Sequence, residues 1–202
     1  GPSAAAKWVA GSHRTVSWNP ANTDVAPVST ANVKITLSVD GGHTYPYVLA
    51  ASTPNTGSAS VVLPMVGTTH ARVKIEAVDN VFFDVSNADF AITWPFSGYF
   101  PPVGPGLNSA KAGSAVPVKF SLGGDRGLAI LADGYPASRQ VDCVTGAPIG
   151  SLEPTSSDLG LTFANGQYSY VWKTAKDWVG TCRQLQVLLV DGTLHTAQFS
   201  FK

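Results

Sequence analysis

Apolar and polar residues alternate with a period of two along most of this chain, and they rarely show the three-to-four spacing of an amphipathic helix. The run Val33-Lys34-Ile35-Thr36-Leu37-Ser38-Val39 alternates strictly and stops at Asp40-Gly41-Gly42, residues suited to reversing a chain. Comparable runs predict strands over 15–18, 45–50, 58–63, 71–78 and 89–94, with turn signals roughly every 8–12 residues. Trp18, between Ser17 and Asn19, is the expected core tryptophan of this half.

Alternation returns over 116–122, 167–172, 183–190 and 195–201, with Asp191-Gly192 expected as a two-residue hairpin turn between the last two strands. Between the halves, Trp94-Pro95-Phe96-Ser97-Gly98-Tyr99-Phe100-Pro101-Pro102-Val103-Gly104-Pro105-Gly106 breaks the pattern with prolines and glycines and reads as a linker. A chain of 202 residues is long for one small sandwich and suits two of roughly 90–110 residues. The fold class is therefore all-β, two tandem antiparallel β-sandwich modules of the Ig-like/FnIII-like kind. Module one covers 4–94, the linker 95–106 and module two 107–202.

Composition sharpens this picture. Thirteen basic and thirteen acidic side chains cancel, and charged residues make up 13% of the chain, so nothing favours nucleic acid or an anionic membrane. No uninterrupted apolar run reaches the roughly 18 residues of a membrane helix. Gly1-Pro2-Ser3 looks like the scar of a cleaved tag and is set aside for fold reasoning. The two cysteines, Cys143 and Cys182, both lie in the second half, 39 positions apart. In an exported protein they pair as a disulfide worth roughly 3–4 kcal/mol by the chain-entropy argument, and secretion is the expected compartment.

Two resemblances follow from particular segments. Asn108-Ser109-Ala110-Lys111-Ala112-Gly113-Ser114-Ala115-Val116-Pro117-Val118-Lys119-Phe120 resembles the opening of the bacterial PxKF domain, with Pro117-Val118-Lys119-Phe120 its namesake motif. Tyr170-Val171-Trp172-Lys173-Thr174, Gly180-Thr181-Cys182-Arg183-Gln184-Leu185 and Asp191-Gly192-Thr193 are similar to later parts of that family. The resemblance implies a small β-rich module at the C-terminal end of exported bacterial proteins, and it brings no catalytic residues. Ala31-Asn32-Val33-Lys34-Ile35-Thr36-Leu37-Ser38 through Asn80-Val81-Phe82-Phe83-Asp84-Val85-Ser86-Asn87 resembles the Ig-like or fibronectin-type modules that follow the catalytic domain of reprolysin-like secreted bacterial metallopeptidases. This implies a longer parent whose catalytic domain is missing here, since His-Glu-x-x-His does not occur.

Candidate chemistry is sparse. Ser38-Val39-Asp40-Gly41-Gly42-His43-Thr44-Tyr45 fits the Asp-box pattern, whose physics is a carboxylate closing a turn. Asp79, Asp84 and Asp89 recur every five residues as hard oxygen ligands near a strand end. Calcium is the cation such oxygens would take, against the plainer reading of solvated turn residues. Asp24 joins this group only if the fold brings it near, and the same discount toward solvated turn residues applies to Asp125, Asp133 and Asp142 in the second module. His13, His43, His70 and His195 sit in no nucleophile-elbow frame, and Gly-x-Ser-x-Gly is absent. Tyr168, Tyr170 and Trp172 share one strand face, the arrangement of a core or of a platform for sugar rings. Core is the favoured reading. The rival, a carbohydrate-binding module, uses Tyr168, Trp172 and Trp178 as a stacking surface. The expected function is a non-catalytic accessory region of a secreted bacterial protein, without a cofactor, meeting a protein or glycan surface as spacer, anchor or partner-binding module.

Overall fold

The computed structural model describes residues 2–202, so Gly1, the first residue of the tag-like opening, lies outside the described residues. The chain divides into two compact units, Gly1–Trp94 and Pro95–Lys202.

The first unit carries β1 (Lys7–Val9), β2 (His13–Ser17), β3 (Asn32–Ser38), β4 (Tyr47–Pro54), β5 (Ser58–Val62), β6 (Thr68–Ala77), β7 (Phe83–Val85) and β8 (Phe90–Thr93). One sheet runs β1-β8-β6-β3-β4 with β7 also on β6, and β2-β5 forms a two-stranded sheet. β8, β6 and β3 in one sheet with β2 and β5 in the other is the strand division of an immunoglobulin-type sandwich. The alternation in β3 places Val33, Ile35 and Leu37 in the core, where Val16, Val61, Val73, Phe90 and Ile92 are also buried. Each large side chain so buried contributes roughly 1.5–3 kcal/mol.

Trp18 departs from expectation. It lies one residue beyond β2, half-buried, and its Nε1–H donates to Asn55 Oδ1 at 2.9 Å. The buried tryptophan of this unit is Trp94, whose ring lies where a Cβ on Gly67 would stand 2.6 Å away. A side chain at residue 67 would therefore collide with the indole.

The second unit carries β9 (Tyr99–Phe100), β10 (Leu107–Ala110), β11 (Ala115–Phe120), β12 (Ala137–Val141), β13 (Glu153–Pro154), β14 (Leu161–Ala164), β15 (Gln167–Lys173), β16 (Cys182–Leu188) and β17 (Leu194–Phe201). Its sheets run β10-β17-β16-β12-β13 and β14-β15-β11-β9. Val116 and Val118 from β11, Tyr170 and Trp172 from β15, Leu185 from β16, and Ala197, Phe199 and Phe201 from β17 meet in one core.

Part of the stretch expected as a linker belongs to this unit. Tyr99 pairs with Phe120 and Phe100 with Lys119, while Val103 is fully buried. Prolines at 101 and 102 end the strand after two residues because they cannot donate to a ladder. The final hairpin joins β16 to β17 through a longer connection than the two residues expected. Leu189 N–H donates to Thr193 O at 2.9 Å around Val190-Asp191-Gly192, with Gly192 at φ 82°. Asp191 Oδ1 accepts from Thr193 N–H and Oγ1–H at 2.9 and 2.6 Å. Gly192 supplies the left-handed residue that a three-residue loop requires.

Candidate functional site

The aromatic strand is a core strand. In β15 the side chains alternate, so Tyr168, Tyr170 and Trp172 turn inward together, with 0%, 6% and 0% of their surface exposed. Tyr168 stacks on Phe120 at 5.4 Å, and Trp172 meets Phe199 edge-on at 5.2 Å. The Tyr168 hydroxyl accepts from Arg126 N–H at 2.5 Å and donates to Gly127 O at 3.1 Å, tying the loop after β11 to the core. A surface for stacking sugar rings needs exposed faces, so Tyr168 and Trp172 do not form one.

Trp178, in the 3-10 turn Lys176–Trp178, is partly buried against the same core. The Arg183 guanidinium lies 3.9 Å from its ring centroid, and Phe201 lies 5.4 Å away. Cation–π attraction and packing thus occupy the ring. Arg183 is itself buried, and its loss of water lowers its affinity for the proton, with Glu153 and Asp177 opposing.

Asp79, Asp84 and Asp89 are not brought together. Asp79 lies in the turn after β6, Asp84 pairs with Ile75 in the β6–β7 ladder, and Asp89 precedes β8. Asp89 binds Arg72 Nε at 2.6 Å and His70 Nδ1 at 3.0 Å. Arg72 and Ala77 stand five strand residues apart, roughly 17 Å, too far for one ion to bridge the outer two carboxylates. Five-residue spacing on extended chain spreads ligands where a compact loop would gather them. Among the described residues, no group of three or more His, Cys, Asp and Glu side chains is arranged to hold a metal ion. Asp24 is exposed in the β2–β3 loop. Asp142 closes the turn after β12, where Oδ1 accepts from Val144 N–H at 2.9 Å and Thr145 N–H at 2.7 Å.

The Asp-box segment is a turn closed by its own side chains. Asp40 Oδ1 accepts from Ser38 Oγ–H at 2.6 Å and from Thr44 N–H at 2.9 Å, and Oδ2 accepts from Thr44 Oγ1–H at 2.5 Å. Gly41 and Gly42 take φ of 75° and 95°. The Ser38 and Thr44 hydroxyls hold the Asp40 carboxyl well below the usual carboxylate range.

Cys143 and Cys182 form a disulfide with a Cα–Cα distance of 5.2 Å. Cys182 opens β16 opposite Val141, so the bond ties the 142–152 loop to the sheet beside β12. Phe96 and Tyr99, from the stretch expected as a linker, meet His195, from the alternating run 195–201, in a cluster that the alternation pattern did not indicate. Phe96 stacks on His195 at 3.6 Å and meets Tyr99 edge-on at 5.3 Å. The aromatics spaced through Phe96-Ser97-Gly98-Tyr99-Phe100 were the signal, hidden by neighbouring prolines. Burial lowers the His195 pKa, with Asp191 opposing, and pushes the Tyr99 phenol up.

No protein-family model matches the chain. No curated protein matches it either. Among solved structures, it is similar to a chimeric titin Z1Z2 functionalized with an exogenous peptide from decorin, at 14% identity over 98% of this chain and 91% of that one, with a TM-score of 0.26. It is also similar to Drosophila OTK extracellular domains 3–5, at 9% identity over 100% of this chain and 63% of that one, with a TM-score of 0.29. A chimeric titin Z1Z2-Z1Z2 tandem gives 13% identity over 98% and 93%, with a TM-score of 0.25. The assignment of both units as sandwiches rests on their own strand pairing.

Proposed function

We propose that this chain is a non-catalytic accessory region of an exported bacterial protein, in which the sandwiches act as spacer, anchor or partner-binding modules. The second unit is read as a PxKF-like module. The first is read as an Ig-like module of the kind that follows reprolysin-like metallopeptidases, which makes such a peptidase the favoured parent. The observation that carries the reading is how the chemically able side chains are used. Tyr168, Tyr170 and Trp172 fill a core, Asp40, Asp142 and Asp191 close turns, and Asp89 pairs with Arg72 and His70. The disulfide supports the exported compartment, because such bonds persist where the surroundings oxidise.

The test is a panel of peptide, ester and glycoside substrates together with columns of insoluble and soluble polysaccharide, read by turnover, retention and tryptophan fluorescence. The expected result is neither turnover nor retention. Steady turnover that survives repurification would overturn the non-catalytic reading. Glycan retention with quenched fluorescence would revive the carbohydrate reading through Trp178.

A further inference from the structure

The parallel ladder between β10 and β17 stops short. β10 covers Gln198 to Phe201, whereas β17 begins four residues earlier, at Leu194. Strand alternation decides which backbone groups are left at that edge. Phe201 N–H donates to Thr181 O and Phe201 O accepts from Gly180 N–H, so odd positions of β17 face the β16 side. Lys202 N–H donates to Ala110 O, so even positions face the β10 side. The N–H and C=O of Thr196 therefore point to the edge that β10 does not cover, and among the described residues no ladder partner meets them.

A cavity of about 590 Å³ lies along that edge, between it and the stretch that carries β9. Its lining includes Phe96, Ser97, Gly98, Tyr99, Pro105 and Thr196. The end at Gln198 is closed by Asn108, whose Nδ2–H donates to Gln198 O at 3.0 Å while its Oδ1 accepts from Gly104 N–H at 2.8 Å. Gly98 and Gly106 leave open space where a side chain would stand. All four uncovered positions of β17, Leu194 to Ala197, line this cavity, so an extended segment lying in it runs beside about four residues. No Lys, Arg, Asp or Glu lines it, so a charged strand would lose water there with no opposite charge to meet.

We propose that this edge is a docking site for a partner's extended, uncharged segment of about four residues, which continues the sheet beside β17 by strand addition. Backbone hydrogen bonds to Thr196 supply the register, and small or apolar side chains enter beside Phe96 and Tyr99. The inference stands apart from the compartment and the parent protein proposed above.

The test uses the whole chain, labelled with ¹⁵N, and a capped tetrapeptide of alternating threonine and valine as probe. Saturable amide shifts confined to residues 96–98, 104–106 and 194–198 are expected, with slowed hydrogen exchange at Thr196. The same peptide with all its amides methylated should bind at least about tenfold more weakly, the effect of losing one good hydrogen bond. Thr196→Pro removes the outward N–H alone, a change that edge strands tolerate, and should abolish the shifts. Ser97→Trp, at an exposed position, fills the cavity without touching the core and should do the same. No shift at millimolar peptide, or equal binding of the methylated peptide, would overturn the proposal. Concentration-dependent broadening at the same residues without peptide would assign the edge to a second copy of the chain and overturn it as well.

Discussion

The two units share one sheet and differ in the other. β1-β8-β6-β3-β4 and β10-β17-β16-β12-β13 follow the same order, each opening with a parallel pair. Opposite the first lie β2 and β5 alone, and opposite the second lie β14, β15, β11 and β9. Beside β2 the first unit has a cleft of about 360 Å³ lined by Val16, Trp18, Val73 and Ile75, whereas the edge of β11 is taken by Tyr99–Phe100. The cores differ to match. The first is mostly aliphatic, and the second gathers Phe120, Tyr168, Trp172, Phe199 and Phe201 and adds a disulfide. One topology can thus be stabilised by aliphatic strands and turn hydrogen bonds, or by aromatic mass and a covalent tie.

Trp172→Ala should break the comparison most strongly. Emptying a fully buried indole costs about 3–5 kcal/mol, and for a unit of this size each kcal/mol moves the midpoint by roughly 4–8 °C. Calorimetry should show the transition of the second unit collapse while that of the first stays in place. Equal loss in both would mean that the units melt as one. Cys143→Ser with Cys182→Ser should follow, lowering the same transition by roughly 3–4 kcal/mol and freeing the 142–152 loop to exchange its amides. A thermal scan with and without reductant checks this on the unaltered chain.

Legibility followed strand length. β3, β6, β11, β15 and β17 run six to ten residues with apolar positions alternating, and their inward faces could be read directly. β9 and β13 have two residues each and carry or adjoin proline, too little chain to show a period. The aromatic face of β15 was visible as a face, but whether it turned toward core or solvent depended on Phe199 and Phe201 in β17, some thirty positions away. Trp18 and Trp94 both stand at strand ends, and local sequence did not separate them. Asp40 was readable because Ser38, Gly41 and Thr44 are its neighbours in sequence. The spread of Asp79, Asp84 and Asp89 was not, because it depends on how β6 pairs with β7 and β8.

Acid should sharpen the contrast next. In the first unit, Asp40 is held down by Ser38 and Thr44, Asp89 by Arg72 and His70, and Glu76 by Lys74 and Lys34. In the second, Asp142 is the one carboxyl among the described residues held below its ordinary range, by Thr145 and Val144. A carboxyl that is more acidic folded than unfolded stabilises above its ordinary value, here 3.8 or 4.5, and that contribution fades as pH falls through the folded value. Below about pH 4 the first transition should therefore drop faster than the second. Asp40→Asn should lower the first transition at neutral pH and flatten its acid slope. Parallel decline of both transitions would show that these turns do not set acid stability.

The smallest expected effect runs the other way and isolates His195. Its ring stacks on Phe96 and bonds Thr193 Oγ1 through Nε2 at 3.0 Å, and burial keeps it neutral against the pull of Asp191. Its folded pKa lies below the ordinary 6.5, so as pH falls past that value the unfolded chain takes up a proton that the folded unit does not. Stability from this group is complete above 6.5 and is lost as pH drops toward the folded value. Between pH 7 and about 5 the second transition should decline slightly while the first, whose carboxylates are still ionised, holds level. His195→Phe keeps a ring on Phe96 and removes the titration, so its second transition should be flat over that interval. A slope unchanged in this variant would place the proton uptake elsewhere in the second unit and leave the Phe96–His195 stack as packing alone.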